Sequence, residues 1–144
     1  MLVIRSAPLR ELDPVTVHGI ARLRQDVFVV EQQCVYADLD DRDLEAGALQ
    51  FWVEDEDDAV VATLRVLREA GGEVRIGRVA VARGARGRGL AAALVAAALD
   101  ETEGSVVLDA QSPLEGWYAR LGFVRDGEEF VEDGIPHVPM RLER

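Results

Sequence analysis

Nine residues, Arg83-Gly84-Ala85-Arg86-Gly87-Arg88-Gly89-Leu90-Ala91, constrain this chain more than any others. Val74 to Val81 before them reads as a strand. Leu90 to Leu99 after them is Ala-rich with leucines at helical spacing. The stretch therefore lies where a strand hands over to a helix. A helix start carries unpaired N–H groups and a partial positive charge. Glycines let that backbone approach a ligand closely, and arginines add formal charge. Such a place can hold a phosphate or pyrophosphate. The alternative is a basic turn that only aids solubility. Three arginines and three glycines in so short a run of an acidic chain argue against it. The stretch is not a P-loop, because no Gly-Lys-Ser/Thr ends it. Gly87-Arg88-Gly89 also lacks the third glycine of a dinucleotide fingerprint.

The knot of arginines stands out because the formal net charge is −11, from 16 basic and 27 acidic residues. Such a chain repels nucleic acid and anionic membranes and attracts cations, amines included. At 144 residues it is long enough for one domain, residues 1–144, with a real core. The single cysteine, Cys34, allows no internal disulfide and no cysteine-based metal site, so no metal is expected. That fits a reducing cytoplasm. No signal peptide and no membrane span is read in the sequence.

Read in order, Met1 to Ala7 is a strand, and Asp13-Pro14 starts a helix with Asp13 as N-cap. Val17, Ile20, Leu23, Val27 and Val30 give that helix one apolar face, with Arg22, Arg24, Gln25 and Asp26 elsewhere. Glu31 to Gly47 is a polar connector with Asp38, Asp40, Asp41, Asp43 and Glu45. It reads as a solvated loop or as a rim that attracts a cationic acceptor. Leu49 to Glu54 and Ala59 to Leu67 are strands around the turn Asp55-Glu56-Asp57-Asp58. In Val74 to Val81 the apolar alternation slips between Ile76 and Val79. A bulge near Gly77 would explain the slip and splay the strand from its neighbour. Ser105 to Ala110 is a strand, Pro113 to Leu121 a helix closed by Gly122, and Phe123-Val124 opens another strand. Asp126-Gly127 and Asp133-Gly134 are turns, and His137 to Leu142 is the last strand. The order predicts a mixed α/β (α+β) sheet of about seven strands flanked by helices, with a splayed central pair.

This order resembles the GNAT superfamily of acyl-CoA-dependent N-acetyltransferases. The superfamily signature, Arg/Gln-x-x-Gly-x-Gly/Ala, is matched by Arg86-Gly87-Arg88-Gly89-Leu90-Ala91. A second motif, aromatic-Tyr-x-x-Leu-Gly-Phe, is matched by Trp117-Tyr118-Ala119-Arg120-Leu121-Gly122-Phe123. Closer still is the ElaA-like branch, through Leu23-Arg24, Val27-Phe28-Val29-Val30-Glu31-Gln32, Cys34, Tyr36, Asp40, Glu132-Asp133-Gly134-Ile135-Pro136-His137 and Met140. The resemblance implies a GNAT-like fold and acetyl-CoA as co-substrate. Backbone N–H groups of Gly87, Arg88, Gly89 and Ala91 would hold its pyrophosphate, with charge from Arg86 and secondarily Arg83 or Arg88. Backbone of Val79 and Val81 would flank the pantetheine arm. Gln111 stands where the superfamily often has an asparagine that contacts CoA. Tyr118 would be the general acid that protonates the leaving thiolate. A homodimer is consistent with the resemblance.

Acyl transfer to an amine needs a neutral amine, an oriented thioester, oxyanion stabilisation and a proton for the thiolate. A backbone N–H of the splayed strand, that of Val79, suits the carbonyl. For the base there are two candidates, Glu31 at the end of the first helix and His137. Each also has an ordinary structural reading, Glu31 as a salt-bridge partner and His137 as a hydrogen-bonded residue beside a Pro turn. Cys34 reads as a small buried apolar residue. The leading expectation is an enzyme that moves an acetyl group from acetyl-CoA to a primary amine of a small molecule or peptide. The alternative is a non-catalytic acyl-CoA-binding sensor domain.

Overall fold

The structure, a computed structural model, describes residues 2–144. Strands β1 (Arg5–Ala7), β2 (Leu49–Glu54), β3 (Val60–Arg68), β4 (Val74–Val81), β5 (Val106–Gln111), β6 (Val124–Arg125), β7 (Phe130–Glu132) and β8 (Ile135–Leu142) form one sheet. Its order is β1-β2-β3-β4-β5-β8-β6, with β7 also paired to β8. Helices α1 (Pro14–Arg24), α2 (Leu90–Asp100) and α3 (Glu115–Arg120) complete it. The first strand is shorter than the sequence suggests, and Met1 lies outside the described residues.

Asp13 caps α1 as expected, accepting from the Thr16 N–H at 2.9 Å. Past Arg24 the helix does not stop but widens into a π segment, Gln25–Glu31. The Gln32 N–H reaches back to Val27 O. Wider turns rotate less per residue than an α-helix, so the apolar face shifts phase. Val30, expected on the buried face, is 62% exposed, and Phe28 turns inward instead.

The sheet separates two apolar clusters. On one face Leu94, Val95 and Ala98 of α2 pack over Leu64, Val66, Val74 and Ile76, with Tyr118 and Phe123 at one side. On the other, Leu23, Val27 and Phe28 pack against Ala80, with Val60 and Ala82 alongside. Burial of this apolar surface, at roughly 25 cal/mol per Å², is the main stabilising term.

The central strands splay. β4 and β5 are parallel and pair only at Val74–Val106 and Arg75–Val107. β5 instead continues antiparallel along β8 from Val106 to Gln111. Beyond Arg75, β4 therefore has an open edge toward β5. A bulge accompanies the splay. Thr63 pairs with Ala80 and Arg65 with Gly77, so Leu64 alone faces both Arg78 and Val79. The sequence places the bulge near Gly77. The left-handed residue is Arg78, φ +52°, one position later.

The C-terminal part carries one strand more than the sequence reading. β7 and β8 form a hairpin closed by Asp133-Gly134, both at positive φ. Asp-Gly between apolar runs is the sequence mark of such a two-residue turn. No described helix is long and apolar enough to cross a membrane.

Candidate active site

The splay opens onto the backbone of β4. The Ala82 N–H donates to Val61 O at 2.8 Å. Antiparallel alternation gives Ala80 the same side, so Val79 and Val81 turn their N–H and C=O groups toward the gap. The Val81 carbonyl accepts from Arg86 Nε at 3.1 Å. Val79 and Val81 side chains pack on the α2 face.

At the end of β4 the chain makes a short 3-10 turn, Arg83–Ala85, and then enters α2 through Gly89. Gly87 and Gly89 have φ of +80° and +74°, and a Cβ on either would meet nothing within 4 Å. Left-handed backbone is the reason for glycine at both. Among the described residues, the N–H groups of Gly87, Gly89, Leu90 and Ala91 make no hydrogen bond within the protein. Four free donors around a helix start form an anion cradle. Replacing Gly89 by Asp puts a side chain in left-handed backbone and a negative charge in the cradle. Gly89→Asp is expected to weaken binding of a phosphate-bearing ligand at the cradle by about 10²-fold or more. Isothermal calorimetry reads this directly, with a thermal melt to confirm folding.

Arg86 is held firmly. Its Nη1 and Nη2 donate to Glu31 Oε2 and Oε1, each at 2.7 Å, a two-pronged pair. Arg83 Nη2 stands 3.8 Å from the same carboxylate. The Arg86 hydrogen bonds, with the charges of Arg86 and Arg83, hold the Glu31 carboxyl below its usual range. The π segment of α1 is thereby tied to the cradle. Arg88 is exposed and lines a cleft with Arg5 and the Asp55–Asp58 turn.

Tyr118, on α3, is 6% exposed and packs edge-on against Trp117 and Phe123. Burial pushes its phenol up to about 12, so it stays protonated at neutral pH. Its hydroxyl makes no hydrogen bond to the protein among the described residues, and is not one of their sealed, unsatisfied buried atoms. A core tyrosine would normally have its hydroxyl satisfied.

A third group meets at the end of β5. Gln111 faces His137 across the β5–β8 ladder, and Gln111 Nε2 donates to Gln32 Oε1 at 3.2 Å. His137 Nδ1 lies 2.7 Å from Ile135 O, and its ring stacks on Phe130. A carbonyl only accepts, so Nδ1 carries the proton and Nε2 is left as the acceptor of the neutral ring. Cys34 is buried as expected, and its Sγ–H donates to Asp133 O at 3.1 Å. That contact ties the connector after α1 to the β7–β8 turn.

Most of the acidic connector is taken up in ion pairs within the protein, and Asp41 alone of the five acids from Asp38 to Glu45 stays exposed without one among the described residues. Asp38 and Asp43 are each 6% exposed and hold the buried Arg24, whose Nε donates to Asp38 and whose Nη1 and Nη2 donate to Asp43. Asp40 pairs with Arg65 and Arg78, and Glu45 with Arg42. Arg24, placed by the sequence among the polar helix positions, is among the most buried side chains of the molecule.

An acetyltransferase (GNAT) domain model matches residues 16–144. The UPF0039 protein Rv2851c of Mycobacterium tuberculosis is 48% identical over 141 residues, 95% of this chain and 90% of its own. Protein ElaA of Escherichia coli is 35% identical over 142 residues, 92% of this chain and 91% of its own. The crystal structure of Escherichia coli ElaA superposes with a TM-score of 0.91, at 32% identity, over 99% of this chain and 100% of that one. An acyl-CoA N-acyltransferase from Pseudomonas aeruginosa does so at 0.92, with 34% identity and 99% of both chains covered. The chain belongs to the GNAT family of acetyltransferases, close to ElaA. It is an enzyme of acyl transfer, with acyl-CoA as co-substrate, and members of the family act on amine acceptors.

Proposed function

We propose that this protein transfers an acetyl group from acetyl-CoA to a primary amine of a small molecule or peptide, with residues 1–144 acting as one N-acetyltransferase domain. The observation that carries this reading is the free-donor cradle at the start of α2, set beside the open backbone edge of β4. Acetyl-CoA fits those residues. The N–H groups of Gly87, Arg88, Gly89 and Ala91 would hold its pyrophosphate, with Arg86 supplying charge beside them. Val79 and Val81 would flank the pantetheine arm, and Gln111 lies at the far side of the gap on β5.

The Val79 N–H polarises the thioester carbonyl and stabilises the oxyanion as the amine nitrogen bonds to the carbonyl carbon. When the carbon–sulfur bond breaks, Tyr118 donates its proton to the sulfur. A phenol held protonated by burial and free of any protein acceptor suits that role. The amine must lose a proton. Glu31 is a weak candidate, because Arg86 occupies both its oxygens and lowers its basicity. His137 is the better base, since its Nε2 is left as an acceptor. His137→Asn should lower kcat/KM at neutral pH by about 10²-fold. An unchanged pH–rate profile would remove it from the reaction.

The test is amine-dependent release of free CoA thiol, measured over polyamines, amino sugars and peptides with free N-termini or lysines. Release that requires an amine and Tyr118 supports the reading. Acetyl-CoA binding without release for any amine contradicts it and favours a sensor role.

A further inference from the structure

Arg78 combines two features that no other residue of the sheet shares. It is not glycine, yet its φ is +52°, where L side chains are disfavoured. The other non-glycine residues in that region, Gln33, Asp58 and Asp133, all sit in turns among the described residues, whereas Arg78 sits inside β4. It also immediately precedes Val79 in the bulge. A glycine stands directly beside it: Gly77 has open space where a Cβ would be and no positive φ. Backbone freedom alone would put the left-handed residue on that glycine. What Arg78 offers instead is its side chain.

That side chain is clamped. Its Nε and Nη2 donate to the Asp38 carbonyl at 3.3 and 3.2 Å, and Nε lies 3.0 Å from Asp38 Oδ1. Nη2 also donates to Asp40 Oδ2 at 3.2 Å, and the guanidinium lies 5.5 Å from the Tyr36 ring centroid. The clamp is itself anchored. Asp38 Oδ2 accepts from Arg24, Asp38 Oδ1 accepts from the Tyr36 hydroxyl, and Asp40 accepts from Arg65. Arg24, Arg65 and Arg78 thus balance Asp38, Asp40 and Asp43 in one network running from α1 to the bulge.

We propose that Arg78 is a positioning residue, whose anchorage to Asp38 and Asp40 fixes the β4 bulge and so aims the Val79 N–H at the thioester carbonyl. The proposal rests on the acetyl-transfer reading above. It assigns a role to the acidic connector, which holds the oxyanion donor from behind. Arginine is needed because a fork can bond the carbonyl and both carboxylates at once.

The test reads the carbonyl itself and needs no acceptor. Acetyl-CoA labelled with ¹³C at the thioester carbonyl is bound to the wild type, Arg78→Gln, Arg78→Lys and Arg42→Gln. Arg42→Gln removes ion pairs to Glu45 and Glu69 without touching Arg78. The bound wild-type resonance is expected downfield of free acetyl-CoA. Arg78→Gln should lose most of that shift while CoA affinity holds, Arg78→Lys should recover part of it, and Arg42→Gln should match the wild type. A full shift in Arg78→Gln overturns the proposal. Should Arg78→Gln not fold, Asp40→Asn takes its place, because the Asp40 side chain is 32% exposed. Partial loss of the shift supports the proposal, and no loss overturns it. Acetyl-CoA that binds the wild type without any shift overturns the proposal and leaves CoA binding standing. Failure of the wild type to bind acetyl-CoA overturns the acetyl-transfer reading and this proposal with it.

Discussion

Tyr118→Phe is expected to lower kcat by about 10²–10⁴-fold, the usual worth of a positioned general acid. The affinity for CoA should stay nearly unchanged, because the ring keeps its packing against Trp117 and Phe123. Only the hydroxyl is removed, and it bonds to no protein group among the described residues, so folding loses no hydrogen bond. Steady-state kinetics with a responsive amine, beside a CoA titration of the same variant, separates the two effects. A loss confined to kcat marks an interaction made in the transition state. Unchanged turnover would remove Tyr118 from the reaction. Burial holds its phenol near 12, so the acid form persists well above neutral pH and the Tyr118 limb of the rate profile should appear only in strong alkali.

Arg24→Ala is expected to destabilise the fold by about 3–5 kcal/mol, because it removes the most buried partner of two buried carboxylates and leaves Asp38 only Arg78 and Asp43 only Arg65 as ion-pair partners. Arg24 is 1% exposed and bonds Asp38, Asp43 and the Asp38 carbonyl. Burial alone would raise the Asp43 carboxyl. The hydrogen bonds and charge of Arg24, then the charge of Arg65 and the Gln50 hydrogen bond, outweigh it, and the net direction is down. A lowered carboxyl stabilises the folded state above its ordinary value of 3.8 and loses that contribution as pH falls through the folded-state value below it. Wild-type stability should therefore be flat from neutral pH to about 5 and fall below about 4. In Arg24→Ala the Asp43 carboxyl loses the hydrogen bonds and charge that hold it down and can protonate more readily, so the gap between variant and wild type should narrow in acid. Urea melts of both proteins from pH 7 to pH 3 measure this. A gap that stays constant across that range would contradict the account.

What the sequence made legible was mostly local. Val74 to Val81, the arginine–glycine stretch and the apolar run after it define strand, cradle and helix without help from the rest of the chain. The slip between Ile76 and Val79 marks the bulge within one residue, because alternation along a strand registers any inserted residue. The splay was expected from that slip, but its extent depends on how β8 draws β5 away, a pairing between distant segments. The fate of the acidic connector was also not legible. Asp38, Asp40 and Asp43 read as solvated when counted alone, and Arg24 reads as a polar helix position. The burial of Arg24, Asp38 and Asp43, and the pairing of Asp40 with Arg65 and Arg78, follow from tertiary contacts that local patterns do not encode. The phase shift that exposes Val30 comes from the π segment, and side-chain spacing tuned to 3.6 residues per turn misses it. The β7–β8 hairpin had a readable signal in Asp133-Gly134 with Phe130, Val131 and Ile135 around it.

The most direct test of the central claim is calorimetric titration of the wild type and Gly89→Asp with acetyl-CoA, with 3′-dephospho-CoA and desulfo-CoA as comparison ligands. The account predicts saturable one-to-one binding to the wild type, retained by desulfo-CoA and lost in Gly89→Asp. No binding of any of these ligands to the folded wild type would contradict it, and the cradle at the start of α2 would then have to serve some other anion.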